Sequence, residues 1–225
     1  MHHAWPELSD LFLAAVLGVT PASAVQRPTT ESAGHGPAVG GYGGIGARVG
    51  PVGSMVGVFT VSRGGVVLGE RLTLGGAFVS VAPRHAFGTP MRGTTGRIYT
   101  TSMLYLGLEL GWVAFRRGRV EIGPQSLLGV GLACVVRLRG RGDDCVERLP
   151  LYVAEPSGFV RVDLTPARAK SSGRRAMIRV EFDAGYRFVR HRPWPSGNDV
   201  RLAAPYLGAN LDFGWFPATA ARRRG

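Results

Sequence analysis

Lysine is almost missing: among 27 basic residues, Lys170 is the one lysine and the others are arginine. GC-rich coding produces such a skew unaided. The arginines sit in short clusters, at 116–119, 137–142, 171–175 and 222–224, and form no continuous basic helix. The formal charge of +12 therefore points away from nucleic acid and toward anionic lipid head groups. Long apolar runs are also lacking. The one candidate, LFLAAVLGVTPASA (11–24), is too short to span a bilayer as a helix, so any membrane residence has to come from strands. Cysteine is reduced to Cys134 and Cys145. These flank VVRLRGRGDD, which reads as a loop between two strands. A disulfide closing that loop suits a compartment outside the cytoplasm, with two unpaired thiols as the alternative.

The apolar stretch 11–24 ends in Ala22-Ser23-Ala24, a small-x-small pattern that predicts a secretory signal cleaved after Ala24. Its leading segment, MHHAWPELSD, carries Glu7 and Asp10 and no Lys or Arg, so the basic role falls to the amino terminus and the histidines. The expected organisation is a signal peptide (1–24), a polar flexible lead-in (25–39), a β domain (40–216) and a basic tail (217–225).

What is abundant is glycine, 34 residues spread along the chain. Helix interiors tolerate it poorly and no collagen period is present, which points to an all-β chain with many turns and close strand contacts. Eight strands are predicted near 40–49, 55–68, 71–82, 102–115, 119–136, 149–164, 176–190 and 205–216. In the fourth, Leu104, Leu106, Leu108, Leu110 and Trp112 share one face, opposite Met103, Tyr105, Gly107, Glu109 and Gly111. In the seventh, Ile178, Val180, Phe182, Ala184, Tyr186 and Phe188 oppose Arg179, Glu181, Asp183, Gly185 and Arg187. The eighth ends with Phe213 and Trp215 on one face and Asn210 and Asp212 on the other. A sandwich core would not accept such a charged face, whereas open solvent or a polar lumen would.

Loop lengths point the same way. Outer-membrane barrels alternate short inner turns with long outer loops. Short second-to-third and fourth-to-fifth connections, and long third-to-fourth, fifth-to-sixth and seventh-to-eighth ones, follow that rule. GPVGS (50–54) and TPARAKSSGRRA (165–176) break it. The predicted fold is an antiparallel up-and-down transmembrane β-barrel of eight strands. Its outward face would carry the fourth-strand leucines and Trp112, with Phe182, Tyr186, Phe188, Phe213 and Trp215 in the lipid band or aromatic girdle. Its lumen would pair Arg63, Glu109, Glu155, Arg161, Asp163, Arg179, Glu181, Asp183, Arg187, Asn210 and Asp212, because the interior of an eight-stranded barrel is filled by side chains. Around Arg63 the alternation slips, and Gly64-Gly65 reads as a bulge.

Several blocks, GYGGIGARVGPVGS (41–54), SRGGVVLGERLTLGGAFVSV (62–81), LYLGLELGW (104–112), YVAEPSGFVRVDLT (152–165) and VEFDAGYRF (180–188), resemble small Gram-negative outer-membrane β-barrel proteins of uncharacterised function. The resemblance covers roughly 40–216. It implies a bacterial outer-membrane location and barrel fold, and it supplies no reaction. Gly208, Leu211, Phe213, Trp215 and Phe216 are similar to the C-terminal signal of such proteins, implying the barrel-assembly machinery as a partner. Here PATAARRRG continues past Phe216, where the family signal usually closes the chain.

Other chemistry finds thin support. GYGGIG (41–46) fits G-x-G-x-x-G without the preceding strand and following helix that a dinucleotide site needs, and Tyr42 covering bare glycine backbone explains it better. His85, His191, Ser196 and Asp199 could meet at an outer rim as a hydrolase or metal site, but no ligand pair has diagnostic spacing. The sequence therefore predicts no enzyme, no cofactor and no metal. It predicts outer-membrane lipid as a partner and a structural or surface-interaction role. The alternatives are an outer-membrane enzyme or narrow pore, and a secreted soluble β-barrel binding an apolar ligand.

Overall fold

The computed structural model describes residues 39–53, 55–69, 71–81, 86–88, 91–92, 98–139, 142–165, 174–191 and 202–217. The expected signal peptide, lead-in to residue 38 and tail from 218 lie outside these residues, as do His85, Ser196 and Asp199. Eight long strands build the fold: β1 (Val39–Val52), β2 (Met55–Leu68), β3 (Leu72–Val81), β4 (Ile98–Trp112), β5 (Val120–Arg139), β6 (Gly142–Asp163), β7 (Arg174–His191) and β8 (Ala204–Pro217). Each pairs antiparallel with its neighbour in sequence, and β1 pairs with β8 to close the ring. Short strands Ala86–Gly88 and Met91–Arg92 add to β2 and β4, and Phe115–Arg117 pairs back on β5.

The chain reverses tightly where glycine permits it. Val52 pairs with Met55 across Gly53-Ser54, and Arg117 pairs with Val120 across Gly118-Arg119. Gly53 and Gly118 have φ of 62° and 60°, the left-handed region that L side chains avoid. The meander puts both ends of the barrel domain, the β2–β3 turn and the β4–β5 turn at one rim, here the near rim. The β1–β2 and β5–β6 turns lie at the far rim.

Two expectations need correction. The segment between the cysteines is not a loop: β5 and β6 remain paired out to Arg139 and Gly142, so the long connection becomes a hairpin with a tight tip. Arg137 pairs with Asp144 and Arg139 with Gly142 on this ladder, and turn-like composition hid the strand. Nor do Gly64 and Gly65 form a bulge. Register runs unbroken through both, to β1 and to β3. Gly64 faces out and Gly65 in, and without side chains neither marks its face, so the pattern only looked slipped. Among the described residues, the barrel ladders shift register between Val135 and Val136 of β5, which pair with Glu147 and Cys145 of β6.

Inside, the barrel has two storeys. Toward the far rim, Val52, Phe59, Val61, Val79, Val81, Met103, Leu149, Leu151 and Leu202 pack into one apolar cluster. Toward the near rim the interior is charged.

Candidate functional site: the barrel interior

Alternation determines which side chains enter the lumen. In β4, Leu108 is 71% exposed while its neighbour Glu109 is 0% exposed. Leu106, Leu110, Trp112, Phe182, Tyr186, Phe188, Phe213 and Trp215 are exposed on the outside, and Leu104 is half-buried there. On the inside, Arg63, Glu109, Glu155, Arg161, Arg179, Glu181, Asp183, Arg187, Asn210 and Asp212 are all buried.

Arg63 holds the centre of the near storey. Its Nε and Nη2 grip the Asp212 carboxylate at 2.9 and 2.5 Å, a bidentate fork. Its Nη1 bonds Glu181 and lies 3.6 Å from Glu109. Arg161 bonds the other Glu181 oxygen and donates to Thr73 Oγ1 at 3.3 Å and to Gln125 Oε1 at 3.1 Å. Its guanidinium lies 3.8 Å from the Phe159 ring centroid, a stacked cation–π contact. Asn210 Nδ2 donates to Asp183 at 3.2 Å and to Glu181 at 3.4 Å. Arg179 reaches Glu121 at 3.4 Å.

A second cluster sits at mid-height. Arg48 Nη1 donates to Glu155 at 2.7 Å, and Tyr105 Oη donates to the other Glu155 oxygen at 2.5 Å. Arg48 Nε lies 3.1 Å from Asp183 Oδ2, within ion-pair range though off the hydrogen-bonding direction. Arg187 behaves differently: it donates to the Leu202 and Pro51 carbonyls at 3.1 and 2.8 Å and stacks over Phe59 at 4.3 Å. It thus anchors backbone at the foot of the apolar storey. Asp163 is half-buried at the end of β6, where its Oδ1 accepts the Thr165 N–H at 2.9 Å.

Glycines make room for these long side chains. Tyr42, Gly65, Gly75 and Glu109 stand in one row across β1, β2, β3 and β4. The Tyr42 ring lies along the two bare positions and its hydroxyl donates to Glu109 at 3.2 Å. A Cβ on Gly75 would come within 2.7 Å of that hydroxyl. The void beside Tyr42, Thr73, Arg161, Arg179 and Asp212 is about 10 Å³, room for one water at most.

The expected lumen set omitted Arg48, Glu121, Gln125 and Tyr206, whose ring centroid lies 4.8 Å from the Arg48 guanidinium, and gave no role to Tyr105, placed on the Glu109 face. Glu121 and Gln125 stand on one face of β5, opposite exposed Val120 and Ile122, so a strict parity count would have found both.

The described residues thus define a closed eight-stranded antiparallel barrel, apolar outside and charged within its near half. No protein-family model matches the chain, and no curated protein matches it. Among solved structures, neisserial surface protein A is 13% identical, covers 80% of this chain and 96% of its own, and has a TM-score of 0.40. The attachment invasion locus protein of Yersinia pestis is 11% identical, covers 80% and 99%, and has a TM-score of 0.40. The outer-membrane protein AlkL, solved in lipid bilayers, is 12% identical, covers 88% and 99%, and scores 0.32. Likenesses this distant lend no weight to a functional reading.

Proposed function

We propose that the chain is an integral outer-membrane β-barrel with a structural or surface-interaction role, no open pore and no chemistry of its own. One observation carries the reading: the aliphatic face of every well-patterned strand points out, while the charged face points in. A water-soluble barrel that binds an apolar ligand would put Leu106, Leu108 and Leu110 inward. Here they are exposed beside outward Leu128, Val130, Phe182 and Leu207. The nine residues from Leu104 to Trp112 match the ~9–11 that a tilted strand needs to cross the hydrocarbon.

Closure rests on filling. Buried Arg48, Arg63, Arg161 and Arg179 face Glu109, Glu121, Glu155, Glu181, Asp183 and Asp212; with Arg187, five cations stand against six carboxylates, so charge nearly cancels, and the apolar cluster fills the far half. The partners that follow are outer-membrane lipid along the belt and the assembly machinery at β8. The reading takes no nucleic acid as a partner.

Heat-modifiability tests the proposal: outer membranes from expressing cells are run boiled and unboiled in SDS. A faster-migrating unboiled band from the membrane fraction is the expected result. Unshifted protein in the detergent-free periplasm overturns it and turns the search to an apolar ligand. In planar bilayers the purified barrel is expected to give no steady conductance; discrete single-channel steps would favour a narrow pore.

A further inference from the structure

The near rim carries a second feature, built where β4 breaks. β4 ends at Trp112, and Val113 and Ala114 leave the ladder before Phe115 rejoins β5. Val113 N–H bonds Arg71 O at 2.8 Å, and Ala114 N–H bonds Ile122 O at 3.0 Å. Gly123 allows the kink: a Cβ there would lie 1.8 Å from the Trp112 carbonyl oxygen. The kink opens a groove of about 160 Å³ between the β2–β3 and β4–β5 turns, lined by Gly69, Arg71, Val113, Ala114 and Arg116.

We propose that this groove binds the phosphate of an anionic phospholipid in the leaflet that meets the near rim. The inference rests on the membrane reading above and names a lipid class for it. Arg71 and Arg116 both line the groove, and guanidinium forks match phosphate oxygens. Local charge stays in excess. Over the two turns the sequence sets Arg71, Arg116, Arg117 and Arg119 against Glu70 and Glu121; Arg116 pairs with Glu121 at 2.8 Å, and Arg117 and Arg119 are exposed in the same turn. Depth fits too. Trp112 and Phe115 are exposed beside the groove, and aromatic residues of a barrel girdle lie at the head-group level. A lipid whose chains run along Leu74 and Leu110, both exposed and paired across β3 and β4, would bring its phosphate to Arg71 and Arg116.

The test uses the refolded full-length barrel in neutral detergent, with bound lipid counted by native mass spectrometry. Phosphatidylglycerol is offered against phosphatidylcholine, with inorganic phosphate and glycerol phosphate as soluble competitors. The expected result is one retained phosphatidylglycerol per barrel, preferred at least fivefold. The Arg71→Gln/Arg116→Gln double variant is expected to lose that preference, while Arg148→Gln/Arg190→Gln keeps it. Equal retention of both lipids, an unchanged double variant, or displacement by millimolar inorganic phosphate as effectively as by lipid overturns the proposal. Heat-modifiability is recorded on the same samples. An unshifted wild-type band sinks the membrane reading itself, whereas a shifted barrel without lipid preference sinks this site alone.

Discussion

Arg48 donates to Glu155 and lies beside Asp183, so removing its guanidinium leaves two carboxylates in a dry interior. Breaking a buried pair from one side costs about 3–5 kcal/mol. Arg48→Ala is expected to lower the unfolding free energy of the refolded barrel, read from urea titration, by that amount, and a matched Arg48→Met/Glu155→Gln/Asp183→Asn change is expected to recover most of it. Equal losses in the two variants would show that packing, and not charge, holds this layer. Gly75→Val tests the bare lane: it would drive the Tyr42 hydroxyl off Glu109 and overpack the near storey, at a cost of about 1–3 kcal/mol. The legibility of single residues followed their neighbours. Glu181, Asp183 and Arg187 were readable because bulky apolar residues alternate with them. Arg48 was not, because Gly44, Gly46 and Gly50 on its own face give no sign of which way that face points.

At the scale of strands, four of the eight expected segments match the observed ones to within two residues at both ends, and those for β1 and β5 stop three residues short. The large departures are the hairpin of β5 and β6 and the early start of β4. The disulfide joins Cys134 to Cys145 within that hairpin, with Cα atoms 5.8 Å apart. Among the described residues β7 pairs with β6 back to Leu151, and β4 with β5 as far as Arg137, so residues 142–148 of β6 have β5 as their pairing strand and carry this crosslink. Cys134→Ser/Cys145→Ser is therefore expected to expose the tip to limited proteolysis near Arg139–Arg148 while leaving the heat-modifiable band in place. Loss of the band as well would show that the tip and the barrel unfold as one unit. The strand character of the tip was hidden because Gly, Arg and Asp together imitate a turn, and only the partner strand makes them a ladder.

For the whole molecule, the direction of greasy and charged faces was legible, and it decides the environment. Leu108 lies midway along the outward row of β4, so Leu108→Arg is expected to destabilise the barrel in liposomes by about 2–4 kcal/mol, the cost of a cation at the bilayer midplane. In a soluble protein the same exposed position would tolerate the change, so a variant with an unaltered midpoint would contradict lipid contact. The interior nearly balances its charges, which leaves the excess of +12 on the rims and connections. That partition could not be read from composition, because arginine clusters and buried arginines look alike in a sequence.

Gly64 and Gly76 pair on the outside of β2 and β3, directly beside Gly65 and Gly75 on the inside, and Gly43 of β1 continues the outer row. Over this patch the wall is one backbone thick. No side chains interlock across it, and cross-strand side-chain pairs supply much of what binds neighbouring strands. The ladder there is held by its own hydrogen bonds and by the Tyr42 ring. It is the seam of the barrel: amides of Gly64–Val66 and Leu74–Gly76 should exchange with deuterium before those of β6 and β7, and a barrel that opens under stress should part here.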